Sequence, residues 1–152
     1  MGDYKLVTVG TDGSASAERA VVRAAEICAD GGARLLIVCA YETRERASSR
    51  DTAEAERALG DEAYKIIGSS PAEETLRDAR DHAMRAGAQQ VDTVAVEGDP
   101  TEAIVGKAEL HHADLVVVGN KGLASFAGRL LGSVPQQVSR RSKSDVLIVH
   151  TT

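Results

Sequence analysis

Glycine and serine recur with fixed spacing between residues 119 and 133, in the stretch GNKGLASFAGRLLGS. The pattern G-x2-G-x9-G-S is formed by Gly119, Gly122, Gly132 and Ser133. Glycine lets backbone N–H groups come close to a ligand, and successive N–H groups form cradles for anions. Ser133 begins the stretch SVPQ, which is typical of a capped helix start with Gln136 three residues on. The pattern predicts a phosphate site at a helix N-terminus; the plainer alternative is turns and a cap only.

Two cations and one carboxylate accompany this pattern. Lys121 and Arg129 lie inside the glycine motif, where they would add positive charge beside a phosphate. Asp12 follows the first apolar run of the chain, in TDGS. Because a carboxylate repels phosphates, we expect Asp12 to accept hydrogen bonds from ribose hydroxyls or to hold a metal ion; the alternative is a turn-forming Asp. Ser14 is expected to cap a helix.

Patterns of catalytic residues are absent from the sequence. It contains no P-loop, no dinucleotide-binding G-x-G-x-x-G and no G-x-S-x-G nucleophile elbow. The histidines are scattered and are expected at surfaces or at the ends of elements: His82, His111, His112 and His150. Cys39 lies in an apolar run with no evident base partner. We therefore predict a protein without catalytic residues or a dedicated metal site, and not an enzyme.

The elements that position these residues alternate between strands and helices. Apolar runs typical of strands cover residues 4–10, 33–41, 90–98, 113–119 and 145–150. Between them, apolar residues at helical spacing form four stripes: Ala17, Ala20, Val21, Ala24 and Cys28; Leu76, Ala79, Ala83 and Ala86; Ile104, Ala108 and His111; Val134 and Val138. This alternation predicts an α/β fold, a doubly wound five-stranded parallel sheet with helices on both faces. With no internal repeat and no second core, residues 1–152 are expected to form a single domain.

The order of the strands decides where a ligand would bind. For the order 3-2-1-4-5, the strand order reverses between the first and fourth strands, and ligands bind outside the carboxyl ends of the strands at such a point. The loops there are residues 10–16, GTDGSAS, and residues 119–133. Both loops are glycine-rich, and this coincidence favours a binding site over a pair of plain turns.

The composition limits which classes of protein this sequence can belong to. The 152 residues are 43% hydrophobic with a formal net charge of −5, which fits one globular domain and argues against a general nucleic-acid binder. The two cysteines, Cys28 and Cys39, are expected to be reduced and buried. No apolar stretch has the length of a membrane span, and the start MGDYKL lacks the regions of a signal peptide, so we expect a cytoplasmic protein without membrane contact.

One segment departs from the alternation of strands and helices. Residues 42–62 contain 11 charged residues among 21 and little apolar periodicity. We expect a solvated crossover with a short helix near residues 52–59; the functional alternative is a lid over a ligand.

The chain resembles the universal stress protein family over its whole length. The resemblance rests on VGTDGS after the first strand, EGDP after the third, the G-x2-G-x9-G-S motif followed by Val134, and the final VLIVH. It implies a five-stranded doubly wound sheet, a homodimer through the C-terminal strand 145–150, and an adenine nucleotide in the crevice between strands 1 and 4. The ending DVLIVHTT is similar to that of relatives that favour cyclic AMP over ATP.

The resemblance also implies a role for individual residues. Asp12 would contact the ribose, the backbone near Ala40 would read the adenine edge, and Gly10 and Thr11 would line the base. The phosphates would be surrounded by the motif residues: Gly119, Gly122, Gly132, Ser133 and Val134. Gly10 departs from relatives that carry proline there, which reshapes the base pocket.

Three functions remain open at this point. The first is a stress-response regulator that binds ATP, AMP or cyclic AMP, with Mg²⁺ possible beside ATP. The second is an adenylating enzyme, which would resemble SGGxDS after the first strand where this chain has GTDGSAS. The third is an interaction module that uses no nucleotide.

Overall fold

The computed structural model describes residues 4–43, 66–120 and 133–151. Within this part of the chain the strands are Leu6–Gly10 (β1), Arg34–Tyr41 (β2), Val91–Glu97 (β3), Leu115–Gly119 (β4) and Asp145–Val149 (β5). They form one parallel sheet in the order β3-β2-β1-β4-β5. The fold class and strand order predicted from the sequence are confirmed.

Helices cover both faces of the sheet. They are Ala15–Gly31 (α1), Ser69–Arg85 (α2), Pro100–Leu110 (α3) and Ser133–Arg141 (α4). α1 and α2 pack with one set of strand side chains, which includes Val9, Ile37 and Val117. α3 and α4 pack with the opposite set, which includes Val38 and Val116. Because successive strand residues point to opposite faces, each buried strand contributes to both cores.

Local sequence explains where α1 and α3 begin and where α1 ends. The Ser14 hydroxyl accepts a hydrogen bond from Ala17 N at 3.2 Å, which caps α1 as predicted. Asp99 caps α3 in the same way, accepting from Glu102 N at 3.1 Å, with Pro100 at the first helical position. Gly32 ends α1 at a φ of 73°, a conformation that glycine adopts without strain.

Several element ends differ from the predicted ones. β1 begins at Leu6, β2 at Arg34 and β4 at Leu115, one or two residues later than predicted, and β3 covers Val91–Glu97. His111 follows the last residue of α3 and is exposed, so it does not belong to the buried stripe that Ile104 and Ala108 form. β5 ends at Val149, one residue before the predicted end, because the ladder stops where Asn120 N donates to Val149 O at 3.0 Å.

Both cysteines are free and buried, as expected. Burial raises the pKa of the Cys28 thiol to about 11. Burial, with smaller effects from the Asp12 and Glu73 carboxylates, raises the pKa of Cys39 to about 12. Both thiols are therefore protonated at neutral pH and act as small apolar side chains of the core.

The charged segment predicted for residues 42–62 lies outside the described residues from residue 44 onward. Glu42 is described and pairs with Ile67 in a single parallel bridge. No helix among residues 4–43, 66–120 and 133–151 is long and apolar enough to cross a membrane.

Candidate functional site

The strand order reverses between β1 and β4, and ligands of such sheets bind in a crevice beyond the carboxyl ends of these two strands. The β1–β4 ladder ends at the pair Val9 and Val117, so the two chain segments separate before Gly10 and Gly119. α4 begins at Ser133. The predicted position of the two glycine-rich loops, on either side of a topological switch point, agrees with this topology.

The loop after β1 is a tight hydrogen-bonded turn. Asp12 Oδ1 accepts from Ser14 N at 2.9 Å, and Thr11 Oγ1 accepts from Gly13 N at 3.1 Å. Gly13 has a φ of 84°, which strains any residue with a side chain. Asp12 therefore forms the turn, and it is only half-buried. A carboxylate has about four acceptor sites, so the turn leaves capacity for a ligand.

Ala40 lies near the carboxyl end of β2, beyond the last residue of β1. Thr11 N donates to Val38 O at 2.9 Å, whereas Tyr41 O accepts from Gly98 N on the β3 side. In a parallel ladder the N–H and C=O of one residue point the same way, and alternate residues point to opposite neighbours. The N–H and C=O of Ala40 are therefore directed to the side on which β1 has ended.

Gly10 allows α3 to pack close to the end of β1. A methyl group at Gly10 would lie 2.9 Å from Cγ1 of Ile104 and closer still to its Cδ1. The Ile104 side chain thus takes the space that a side chain at residue 10 would fill. Ile104 becomes part of the wall next to the predicted base position, a role that the sequence alone did not indicate.

Gly119 has a structural reason for lacking a side chain. A methyl group there would lie 3.2 Å from Ser16 Oγ, 3.5 Å from Ser16 O and 3.6 Å from Thr151 Cγ2. The missing side chain of Gly119 therefore lets β4 pack against the first turn of α1. A methyl group would require the Ser16 hydroxyl to give way by a few tenths of an ångström, whether or not a phosphate binds nearby.

A buried polar cluster lies beside Gly119. Asn120 Oδ1 accepts from both N and Oγ1 of Thr151 at 2.9 Å, and Asn120 Nδ2 lies 3.2 Å from His150 Nδ1. Thr151 Oγ1 is also 2.5 Å from Ser16 Oγ, and Arg19 donates to Thr151 O. Sequence reasoning missed this cluster, because only the position of Asn120 inside the glycine motif hinted at it.

The described part of the phosphate region is the start of α4. Val134 is half-buried against the core beneath α3 and α4, and Pro135 is buried. First-turn N–H groups have no partner within a helix, and proline at this position removes one of them without breaking the helix. Four predicted contacts lie outside the described residues: Lys121, Gly122, Arg129 and Gly132.

Within residues 4–43, 66–120 and 133–151, the other titratable groups form no second centre. His82 Nε2 lies 2.9 Å from Glu18 Oε1, a half-buried pair between α2 and α1. Among the residues placed by the structure, no group of three His, Cys, Asp or Glu side chains could hold a metal ion. Surface hollows of about 440 Å³ and about 510 Å³ lie elsewhere, beside the C-terminal ends of α3 and α4 and along α1.

Comparisons with known proteins agree with this architecture. Residues 3–150 match the model of the universal stress protein family. The chain is 51% identical to universal stress protein Rv1636 of Mycobacterium tuberculosis over 152 residues, the full length of both. It is similar to the crystal structure of a universal stress protein in complex with cAMP, with a TM-score of 0.75, 44% identity and 98% of each chain covered.

A more distant solved structure has the same fold. Hypothetical protein MJ0577 is 26% identical to this chain, with a TM-score of 0.73 over 98% of this chain and 97% of that one. The family match covers almost the whole sequence. The chain therefore belongs to the universal stress protein family.

Proposed function

We propose that this protein is a stress-response regulator that binds an adenine nucleotide in the crevice between β1 and β4. The observation that carries the proposal is the backbone of Ala40. Its N–H and C=O are directed past the end of β1, because the β1–β2 ladder ends at the pair Gly10 and Val38, two residues before Ala40. Adenine has a ring acceptor beside an amino donor, and one N–H and one C=O match this edge.

The ribose and the phosphates extend from the base across the crevice. Gly10 and Thr11 line the base together with Ile104, and Asp12 accepts hydrogen bonds from ribose hydroxyls with its remaining lone pairs. Gly119, Ser133 and Val134 border the phosphates, since helix N-termini favour anions. Lys121, Gly122, Arg129 and Gly132 complete this set as predicted from the motif. With ATP, Mg²⁺ would accompany the phosphates.

The nucleotide is one of ATP, AMP and cyclic AMP. The complex of a related universal stress protein with cAMP, 44% identical to this chain, supports cyclic AMP as a ligand. We also propose that the protein is not an enzyme, because the described crevice contains Asp12 but no base and nucleophile within hydrogen-bond reach of each other. A cytoplasmic location remains a prediction from the sequence.

Calorimetric titration with adenine and guanine nucleotides tests this function. We expect saturable binding of an adenine nucleotide and much weaker binding of its guanine counterpart, because guanine carries a carbonyl oxygen where adenine has its amino group. Asp12→Asn keeps the turn acceptor but removes the charge, so AMP and ATP should bind roughly tenfold more weakly. Cyclic AMP should lose less, because its 3′ oxygen is esterified.

Asp30→Asn is the matched control, since Asp30 is an exposed residue near the end of α1, and its binding should equal wild type. Equal affinity for adenine and guanine nucleotides, or no binding of either, would contradict the proposal. Mg²⁺-dependent ATP turnover near the typical enzyme rate of about 10 per second would contradict the non-enzymatic part.

A further inference from the structure

Thr151 lies two residues beyond β5, yet it is only 4% exposed. Its backbone N–H and its hydroxyl both donate to Asn120 Oδ1 at 2.9 Å. Because the Thr151 hydroxyl has one proton, Ser16 must be the donor in the 2.5 Å hydrogen bond between the two hydroxyls. Arg19 donates to the Thr151 carbonyl. Every polar group of Thr151 therefore takes part in a hydrogen bond.

The partners of Thr151 stand at the two sides of the crevice. Ser16 is the second residue of α1 and directly follows the turn that presents Asp12. Asn120 directly follows Gly119 at the end of β4. Ser16 and Asn120 are themselves only 6% exposed. The cluster thus joins the loop after β1 to the loop after β4.

The sheet itself does not make this connection. The β1–β4 ladder ends at Val9 and Val117, one residue before Gly10 on one side and two before Gly119 on the other. Beyond that pair, the relative position of the two crevice walls depends on contacts outside the ladder. Hydrogen bonds from Thr151 are directional, and their buried position excludes competing water.

We propose that Thr151 is a positioning residue for the nucleotide site, acting through Ser16 and Asn120 to fix the two walls of the crevice. This inference rests on the proposed function. Thr151 does not itself contact the ligand in this account. A binding site loses affinity when its supporting residues leave it loose by about 1 Å, so the Thr151 hydroxyl affects binding at a distance.

Isosteric substitution of two buried threonines tests the inference. Thr151→Val removes the hydroxyl and both of its hydrogen bonds, and Thr151→Ser keeps the hydroxyl. Thr8→Val is the matched control, because Thr8 is fully buried in β1 and its hydroxyl has no partner among the described residues. Cyclic AMP and AMP are titrated into each folded protein, and amide hydrogen exchange is measured at residues 11–16 and 119–120 without ligand.

We expect Thr151→Val to bind roughly tenfold more weakly and to exchange faster at those amides, while Thr151→Ser and Thr8→Val behave like wild type. Wild-type affinity and exchange in Thr151→Val would overturn the inference and leave the proposed function intact. If wild type binds no adenine nucleotide, the proposed function fails, and the exchange data alone decide whether Thr151 holds the two walls. If Thr151→Val does not fold, Ser16→Ala replaces it, with the same expected result and the same contradicting one.

Discussion

At the scale of single residues, two buried threonines have opposite surroundings. The Thr151 hydroxyl has two hydrogen bonds, whereas the Thr8 hydroxyl has none within the described chain. A buried hydroxyl without a partner costs about 1–3 kcal/mol, and its replacement by a methyl group of the same shape removes that cost. Thr8→Val should therefore raise the free energy of unfolding by roughly 1 kcal/mol in urea denaturation. A Thr8→Val protein less stable than wild type would show that the hydroxyl has a partner after all.

Residue types with local roles could be predicted, and those with distant neighbours could not. Ser14 as a helix cap follows from sequence, because the cap bonds to residues three positions away. The sequence motif predicts ligand contacts for Gly10 and Gly119, and the structure adds that Ile104 fills the space of the missing side chain at Gly10 and that Ser16 packs close to Gly119. Such neighbours are brought together only by folding, so no single-sequence pattern reveals them.

At the scale of elements, Asp114 ties the start of β1 to the start of β4. Its Oδ2 accepts from Leu6 N at 2.9 Å and from Lys5 N at 2.7 Å, and these bonds lower the pKa of the carboxyl below its usual value. The lowered pKa means that the carboxylate stabilises the fold above about pH 4, and that this contribution is lost as the pH falls through the folded-state pKa.

Asp114→Ala should lower the free energy of unfolding at pH 7 by roughly 1–2 kcal/mol, and its difference from wild type should shrink on acidification. Asp114→Asn, which keeps an acceptor without the charge, should lie between the two at pH 7. Denaturant titrations from pH 7 to pH 3 measure these differences. A difference that stays constant over this range would contradict the assigned role of the carboxylate.

β5 is an edge strand of the sheet, and we expect two copies of the chain to pair along it. Asn120 N donates to Val149 O, so the alternation of the ladder directs the backbone groups of Val146 and Ile148 away from β4. After Asp145 at its first position, β5 is apolar, whereas the other edge, β3, contains Asp92 and Glu97. An apolar open edge favours pairing with a second chain.

Val146→Pro removes one outward N–H without breaking an internal ladder bond, so this variant should fold and run as a monomer in light scattering. Val146→Ala keeps the N–H and should remain a dimer. Leu147→Pro removes an inward N–H and should unfold the sheet. A monomeric wild type, or a dimeric Val146→Pro protein, would show that β5 is not the dimer interface.

The elements themselves were largely predictable from periodicity, because nearly continuous apolar runs and helical stripes reflect burial on both faces of the sheet. The end of β5 was not predictable. The predicted run included His150, but the chain leaves the ladder after Val149. There the Asn120 side chain accepts from Thr151 N and lies beside the His150 ring. Residues 120 and 151 are too distant in sequence for local reasoning to pair them.

At the scale of the whole molecule, the fold brings three separate sequence segments to one end of the sheet. The turn with Asp12, the part of β2 beyond the end of β1 at Ala40 and the end of β4 at Asn120 all lie at the carboxyl end of the sheet. The topological switch point places them there, and the Thr151 cluster connects two of them. Nucleotide binding is therefore expected to depend on residues from all three segments.

Backbone amide chemical shifts during titration with cyclic AMP, AMP and ATP test the central claim most directly. The account predicts that at least one of these nucleotides shifts the amides of residues 11–14, Ala40, 119–120 and Val134 in a saturable manner. The amides of His112 and Lys143, which line the hollow beside the C-terminal ends of α3 and α4, should stay unchanged. Saturable shifts confined to that hollow, or no shifts with any of the three nucleotides, would contradict it.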